Sequence, residues 1–324
     1  MRVSFFAAVI LAGAAQADTP VVTVLAPDYF GSSWGPGPAI KDGFEARCGC
    51  TLEYRTGDVL PRLMLEGARV QADAVIGLNT DMTLRARETG LFAPHGQELD
   101  ALTVPVDWED DVFIPFNWGY AAWVYDRNRV ENPPSSFAEL VAREDLSLIW
   151  QDPRSSGSGL ALLLWVDQLY GEDAADIWRA LQARTVTVTA GWSEAYGLFS
   201  DGEADMVLSY TTSPAYHIVA EEDDSKAAAI FDEGHYFMAE VAGVLDGAAQ
   251  PELARDFMAY ILSSEFQEMI VYANWSYPSA LPRADWPEVM RDLPLPDHAI
   301  FLDEQAAEDR RGPALDLWLD GMTR

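Results

Sequence analysis

The apolar positions of this 324-residue chain form short continuous runs, separated by segments whose spacing is helical. The predicted elements are strands at 21–25, near 51–55 and at 72–78, and a helix near 59–69. A further helical segment follows the first strand and can bury Ile40, Phe44 and Ala46. Strands that alternate with helices at this spacing indicate βαβ units and a mostly parallel sheet.

A long aromatic strand is predicted at 113–126, where the sequence reads FIPFNWGYAAWVYD. A second set of strands and helices follows over about 145–240, and an amphipathic helix starts at Pro251. A chain that builds one lobe, crosses to a second and returns is typical of a hinged cleft protein. The predicted division is a signal peptide at 1–17, a first lobe at 18–117, a second lobe at 118–240, a return to the first lobe at 241–280, and a C-terminal helical segment at 281–324.

The amino terminus has the three parts of a secretory signal peptide. Arg2 supplies a positive charge, residues 3–14 are apolar, and Ala15-Gln16-Ala17 has the small-x-small form that signal peptidase cleaves. We therefore expect the mature chain to start at Asp18. A membrane-spanning helix is disfavoured because the apolar run is shorter than the about 20 residues that cross a bilayer. No cysteine stands at the cleavage point, so we expect no lipid anchor there.

The formal net charge of −31 indicates which partners the chain repels. Such a field disfavours nucleic acid and anionic membrane surfaces, and it favours cationic ligands. Solubility or a salty habitat explains the acidity equally well, so charge alone identifies no ligand.

Two cysteines, Cys48 and Cys50, are separated by Gly49. Export permits a disulfide between them, and we favour that pairing over a metal site. A metal would need further ligands, and the four histidines lack the spacings of a zinc site. We expect no resident metal. The sequence also lacks the nucleotide-binding and hydrolase motifs of common enzymes, so we expect no catalytic residues.

Several loop stretches carry aromatic or small polar residues where a connection need only be polar. Carboxyl ends of parallel strands bind ligands in α/β clefts, and aromatic rings there suit a flat heterocycle or a cation. Core packing is the alternative for each ring, and a simple helix cap is the alternative for Ser156. The candidates are Trp34, Ser156, Trp192, Tyr210, Tyr216 and Trp275.

Taken together, these stretches resemble the periplasmic thiamine-binding proteins of bacterial ABC importers. The resemblance runs from near Val21 to about Pro278 and is carried by WGPGP at 34–38, the Cys48-x-Cys50 pair, QDPR at 151–154, TVTVTAGWSEAYGLF at 185–199 and VLSYTTSPAYHI at 207–218. It implies a periplasmic-binding-protein type 2 fold, in which two α/β lobes close on the ligand in a hinged cleft.

The resemblance also implies a role for each candidate. The six residues above fall on matching motifs and would be ligand contacts. An acidic contact of the family lies before the helix that contains Arg62, in a stretch that is shorter here, and Asp58 is the carboxylate nearest to that place.

The implied function is capture of thiamine, and of its phosphates, in the periplasm for a membrane permease, with thiamine as cargo and no cofactor. Two alternatives stay open at this point. Thiamine-degrading enzymes of the same fold use a cysteine nucleophile, and a ferric ion would suit the phenol pair Tyr210 and Tyr216.

Overall fold

The computed structural model describes residues 19–32 and 35–323. The predicted signal peptide at 1–17 and the predicted contact Trp34 lie outside the described residues. Among the helices that are described, none is both long and apolar enough to cross a membrane.

A single mixed sheet runs through the described part of the chain. Its strands are β1 (Val21–Ala26), β2 (Thr51–Thr56), β3 (Ala74–Asn79), β4 (Phe92–Ala93), β5 (Phe113–Asp126), β6 (Leu148–Gln151), β7 (Thr185–Thr189), β8 (Met206–Tyr210), β9 (Lys226–Ala229), β10 (His235–Leu245), β11 (Tyr277–Pro278) and β12 (Ala299–Ile300). The main order is β2-β1-β3-β10-β5-β8-β6-β7.

Helices cover both faces of this sheet. They are α1 (Gly37–Cys48), α2 (Val59–Glu66), α3 (Thr83–Glu88), α4 (Phe137–Ala142), α5 (Gly157–Tyr170), α6 (Ala174–Gln182), α7 (Trp192–Ser200), α8 (Pro214–Ala220), α9 (Pro251–Ile261), α10 (Ser264–Ala273), α11 (Glu288–Asp292) and α12 (Glu304–Thr323). Short 3₁₀ turns occur at Asp28–Gly31, Gly67–Arg69, Thr80–Met82, Gly171–Asp173 and Arg283–Asp285. The α/β fold class predicted from the sequence is confirmed.

Two long strands join the halves of the sheet. The first half of β5 pairs antiparallel with β10, from Phe113 opposite Gly243 to Tyr120 opposite Phe237. Its second half pairs with β8 and β9 instead. We call the part built on β1, β2 and β3 the first lobe, and the part built on β6, β7 and β8 the second lobe. The sheet is parallel within β1–β3 and within β6–β8 but antiparallel at the crossing, which the alternation of strands and helices did not reveal.

Each lobe has an aromatic core. In the first, Phe44 packs edge-on against Phe257 at 5.1 Å. In the second, Trp150 lies 5.4 Å from Trp178. The prediction that Ala46 is buried in α1 is wrong, because it falls on the exposed side of that helix. The other predicted residues of that face, Ile40 and Phe44, are buried.

Helix α5 begins at the edge of the second lobe nearest the first. Ser156 caps it by accepting a hydrogen bond from Gly159 N at 3.5 Å, and such caps typically contribute about 1 kcal/mol. Gly159 is required here because a Cβ atom would lie 2.5 Å from the carbonyl oxygen of Gln151. The apolar residues that follow are fully buried, so the amino end of α5 is held rigidly.

The terminal helix α12 contacts both lobes. Arg310 donates two hydrogen bonds, of 2.7 and 2.9 Å, to the buried carboxylate of Asp167 in α5. Trp318 lies edge-on to Trp150 at 6.4 Å. At the other end of the helix, Arg87 of α3 forms an ion pair of 3.1 Å with Glu304. The helix therefore ties the second lobe to α3 of the first.

Cys48 ends α1 and Cys50 precedes β2, with Gly49 between them in the left-handed conformation (φ 61°). Glycine adopts this conformation without steric cost, which is common after a helix. The turn places the two Cα atoms 5.1 Å apart, and the sulfur atoms are 1.97 Å apart.

Candidate ligand-binding site

Trp192 is the first residue of α7 and stands beside the end of β8. Its indole Nε1 donates a hydrogen bond of 2.8 Å to Ser209 Oγ. Its ring stacks on Tyr196 at 4.8 Å with an interplanar angle of 23°, and the Tyr196 hydroxyl is 2.9 Å from His217 Nε2. The indole is partly buried and fixed in orientation. The structure therefore makes it a rigid aromatic platform, as a stacking contact requires.

Tyr210 ends β8 and faces the amino end of α5. Burial raises the pKa of its phenol, the negative charge of Glu240 raises it further, and a hydrogen bond with Ser158 opposes both. The phenol is therefore a neutral hydrogen-bond donor at physiological pH. Ser156 Oγ lies 2.9 Å from Ser158 Oγ, so the predicted residues Ser156 and Tyr210 are brought into one neighbourhood.

Tyr216 and Trp275 meet edge to face. Their ring centroids are 5.6 Å apart with an interplanar angle of 78°. Tyr216 keeps 36% of its surface exposed. Trp275 has φ 50°, a left-handed conformation that is uncommon for a non-glycine residue. Its loop, which follows α10, therefore presents the indole in a conformation that its neighbours must stabilise.

Glu240 was not among the predicted site residues. It is partly buried in β10 and accepts hydrogen bonds from the Tyr29 hydroxyl, from Asn117 Nδ2 at 2.7 Å and from Asn274 Nδ2 at 2.7 Å. Asn274 precedes Trp275, so this carboxylate is linked to the aromatic loop. One sequence signal was present: a glutamate interrupts the apolar run HYFMAEVAGVL, and a buried charge needs partners.

Asp58 takes part in none of the side-chain hydrogen bonds described above. It is exposed at the start of α2, and its side chain makes no capping hydrogen bond there. Its role as an acidic contact stays a prediction. The role of Trp34 as a ligand contact also stays a prediction.

A second carboxylate, that of the buried residue Asp81, lies in the middle of the 3₁₀ turn Thr80–Met82 after β3. Neither of its oxygen atoms has a hydrogen-bond partner among residues 19–32 and 35–323. Burial raises its pKa to about 7, against the opposing charge of Arg85. Its charge also contributes to raising the pKa of Tyr210, which puts Asp81 within electrostatic reach of the candidate site.

The residues His217, Glu221 and Asp223 bring potential metal ligands within 4.8 Å of one another. Both ring nitrogens of His217 are already in hydrogen bonds, with Tyr196 and with Glu221. Asp223 pairs with Lys226 at 3.3 Å. These internal contacts account for the arrangement without an ion.

Two lobes joined by long strands, with aromatic and small polar side chains where they meet, define a ligand-binding protein of the cleft type. The chain belongs to the bacterial extracellular solute-binding proteins, whose family pattern it matches over residues 72–310.

Individual relatives give a narrower assignment than the family. The chain is 50% identical over 266 residues to the thiamine-binding periplasmic protein of Escherichia coli (strain K12), covering 81% of each chain. It is 41% identical over 326 residues to the thiamine-binding periplasmic protein of Brucella abortus, covering 99% of this chain and 97% of the other. These relatives are binding proteins rather than enzymes, as the sequence predicted, and the second likeness continues well past Pro278.

Solved structures agree with this grouping. A periplasmic thiamin binding protein superposes with a TM-score of 0.91 at 43% identity, covering 98% of this chain and all of the other. A ferric binding protein from Campylobacter jejuni shares the fold, with a TM-score of 0.78, at 15% identity. That distance shows a common architecture and gives no support to ferric ion as the cargo.

Proposed function

We propose that this chain captures thiamine in the periplasm and delivers it to the membrane permease of an ABC importer. The observation that carries the proposal is an aromatic and polar cluster at the meeting of the lobes, in a chain 41–50% identical to thiamine-binding periplasmic proteins. Thiamine is cargo in this proposal, and no cofactor takes part.

The chemistry of thiamine fits this cluster. The thiazolium ring is permanently cationic and the aminopyrimidine is flat, so aromatic faces such as those of Trp192 and Trp275 stabilise both. Each such cation–π contact contributes about 0.5–2 kcal/mol. The net charge of −31 raises the local concentration of a cation.

The amino end of α5 suits the other end of the ligand. Backbone N–H groups and the hydroxyls of Ser156 and Ser158 favour an oxygen acceptor there. The hydroxyl of thiamine is such an acceptor, and so is a phosphate. We therefore include the thiamine phosphates among the proposed ligands.

A calorimetric titration of metal-free mature protein with thiamine, its monophosphate and its diphosphate tests the proposal. Ligand that binds only the folded state should stabilise it by about 2.7 kcal/mol at a hundredfold excess over Kd. Melting curves recorded with each ligand measure this stabilisation. If none of the three ligands raises the melting temperature at millimolar concentration, the cargo is not thiamine.

The proposal includes export, with cleavage after Ala17 and oxidation of Cys48 and Cys50. Intact-mass measurement of the secreted protein should show loss of residues 1–17 and of two hydrogen atoms. Two thiols that react with an alkylating agent in the native protein would exclude the disulfide and leave the cargo assignment unchanged.

A further inference from the structure

Glu240 occupies the point where the lobes join. It pairs with Asn117 across the β10–β5 ladder and with Asn79 across the β10–β3 ladder. The register of β10 against β5 shifts immediately after Glu240. Such bulges redirect side chains and are over-represented next to functional sites.

Within the described part of the chain, no cation pairs with this carboxylate. Throughout residues 19–32 and 35–323, none of the ion pairs involves Glu240. Its hydrogen-bond donors are the neutral groups of Tyr29, Asn117 and Asn274. Shielding a carboxylate even partly from water without a cation is costly, and neutral donors offset only part of that cost.

The groups around Glu240 come from both lobes and from the loop of Trp275. Tyr29 belongs to the first lobe, and Tyr210 ends a strand of the second lobe. Asn274 immediately precedes Trp275 in the loop after α10. Burial raises the pKa of the Tyr29 and Tyr210 phenols, and the negative charge of Glu240 raises both further. The carboxylate therefore lies within electrostatic reach of both phenols. Burial raises the pKa of Glu240 itself, and the hydrogen bonds from Tyr29, Asn117 and Asn274 lower it in favour of the ionised form.

We propose that Glu240 is a specificity-determining residue, whose carboxylate makes the site prefer a flat cationic ring to a neutral ring of the same shape. The proposal rests on the proposed function, namely that thiamine binds at this site. A quaternary thiazolium nitrogen has no N–H to donate, so charge and ring faces are the means to recognise it. A carboxylate already held by three donors need not reorganise when the cation arrives.

The test is the variant Glu240→Gln. Its amide oxygen can accept from Asn117 and Asn274, and its amide nitrogen can donate to the Tyr29 oxygen, so the hydrogen bonds survive while the charge is lost. Two probes are titrated by calorimetry: thiamine, and a neutral isostere with a thiophene ring in place of the thiazolium.

We expect thiamine binding to weaken about tenfold or more, because partly buried charges are screened less than exposed ones. Binding of the neutral isostere should change by no more than about twofold, because the hydrogen bonds are kept. The matched control is Asp73→Asn. Asp73 is a buried carboxylate of the first lobe that accepts from Thr23 N and Gln250 N, so its loss should lower the melting temperature and leave the ratio of the two affinities unchanged.

A second variant, Glu240→Asp, keeps the charge on a shorter side chain and should keep the preference for the cation even where overall affinity falls. Equal losses for both probes in Glu240→Gln, or a lost preference in Glu240→Asp, would overturn the proposal. Failure of the unaltered protein to bind thiamine would instead refute the proposed function, so the two failures are distinguishable.

Discussion

Gly157 at the start of α5 in the second lobe lies against Asn79 at the end of β3 in the first. A Cβ atom at position 157 would come within 2.2 Å of Asn79 Nδ2 and 3.6 Å of Met82 Cε. Asn79 is itself buried, so a side chain at position 157 would have to displace the Asn79 amide or hold the two lobes further apart.

Replacement of Gly157 by Ala should therefore hold the lobes apart. We expect thiamine affinity to fall about tenfold, since overpacking at a tight contact commonly costs about 1–3 kcal/mol. The control is Gly197→Ala in α7, where a Cβ would meet nothing within 4 Å and should stabilise the helix by up to about 1 kcal/mol. Calorimetric titration with thiamine measures the affinity of each variant. An affinity of Gly157→Ala equal to that of Gly197→Ala would show that residue 157 does not limit closure of the lobes.

Truncation of the aromatic residues separates a binding role from a packing role. Trp192→Ala and Trp275→Ala should each weaken thiamine binding by about 2 kcal/mol or more, as central aromatic contacts commonly do. Trp165 is fully buried in the core of the second lobe. Trp165→Ala should therefore cost about 3–5 kcal/mol of folding stability instead. Titrations and apo melting curves on all three variants measure the two effects. Unchanged thiamine affinity in both site variants would refute the aromatic site.

Asp58→Asn tests the acidic contact implied by the family resemblance. Thiamine binding should weaken by up to about fivefold, because an exposed carboxylate is screened by water. A neutral aminopyrimidine fragment should bind the variant as it binds the unaltered protein. Equal losses for the two ligands would remove Asp58 as a charge partner.

Asp81 should make folding stability fall as pH rises. Its folded-state pKa is about 7 against an ordinary value of 3.8, so between these pH values the folded state binds more protons than the unfolded state. The contribution of Asp81 to the free energy of unfolding therefore decreases from about pH 4 to pH 7 and then levels off. Asp81→Asn removes this term, and its stability relative to the unaltered protein should grow over that range by at most about 4 kcal/mol. Urea unfolding across the range checks this, and a constant difference would contradict it.

Local patterns were enough to predict much of the fold. The first strand and the crossing strand were predicted at 21–25 and 113–126 and lie at Val21–Ala26 and Phe113–Asp126, because mostly apolar runs bounded by turn signals indicate a buried strand. The helix predicted near 59–69 ends as an α-helix at Glu66 and continues as a 3₁₀ turn to Arg69.

The candidate site was less predictable because it depends on long-range contacts. Tyr29 and Glu240 are 211 residues apart in sequence, and Asn117 and Glu240 are 123 apart. Single motifs showed the aromatic residues, which stand out in polar loops. These motifs could not show that the carboxylate of Glu240 is linked to the aromatic residues, because that link depends on the pairing of β10 with β5.

The position of α12 has a consequence for the order in which the chain can fold. Trp318 packs against Trp150, and Gly321 lies against Trp178, so residues of α12 complete the hydrophobic core of the second lobe. A chain that emerges from its amino end, during synthesis or translocation, can assemble the β1–β3 units early. It can finish the first lobe only after α9, whose Phe257 packs against Phe44, has appeared, and the second lobe only after α12 has appeared. The first lobe can therefore be completed before the second.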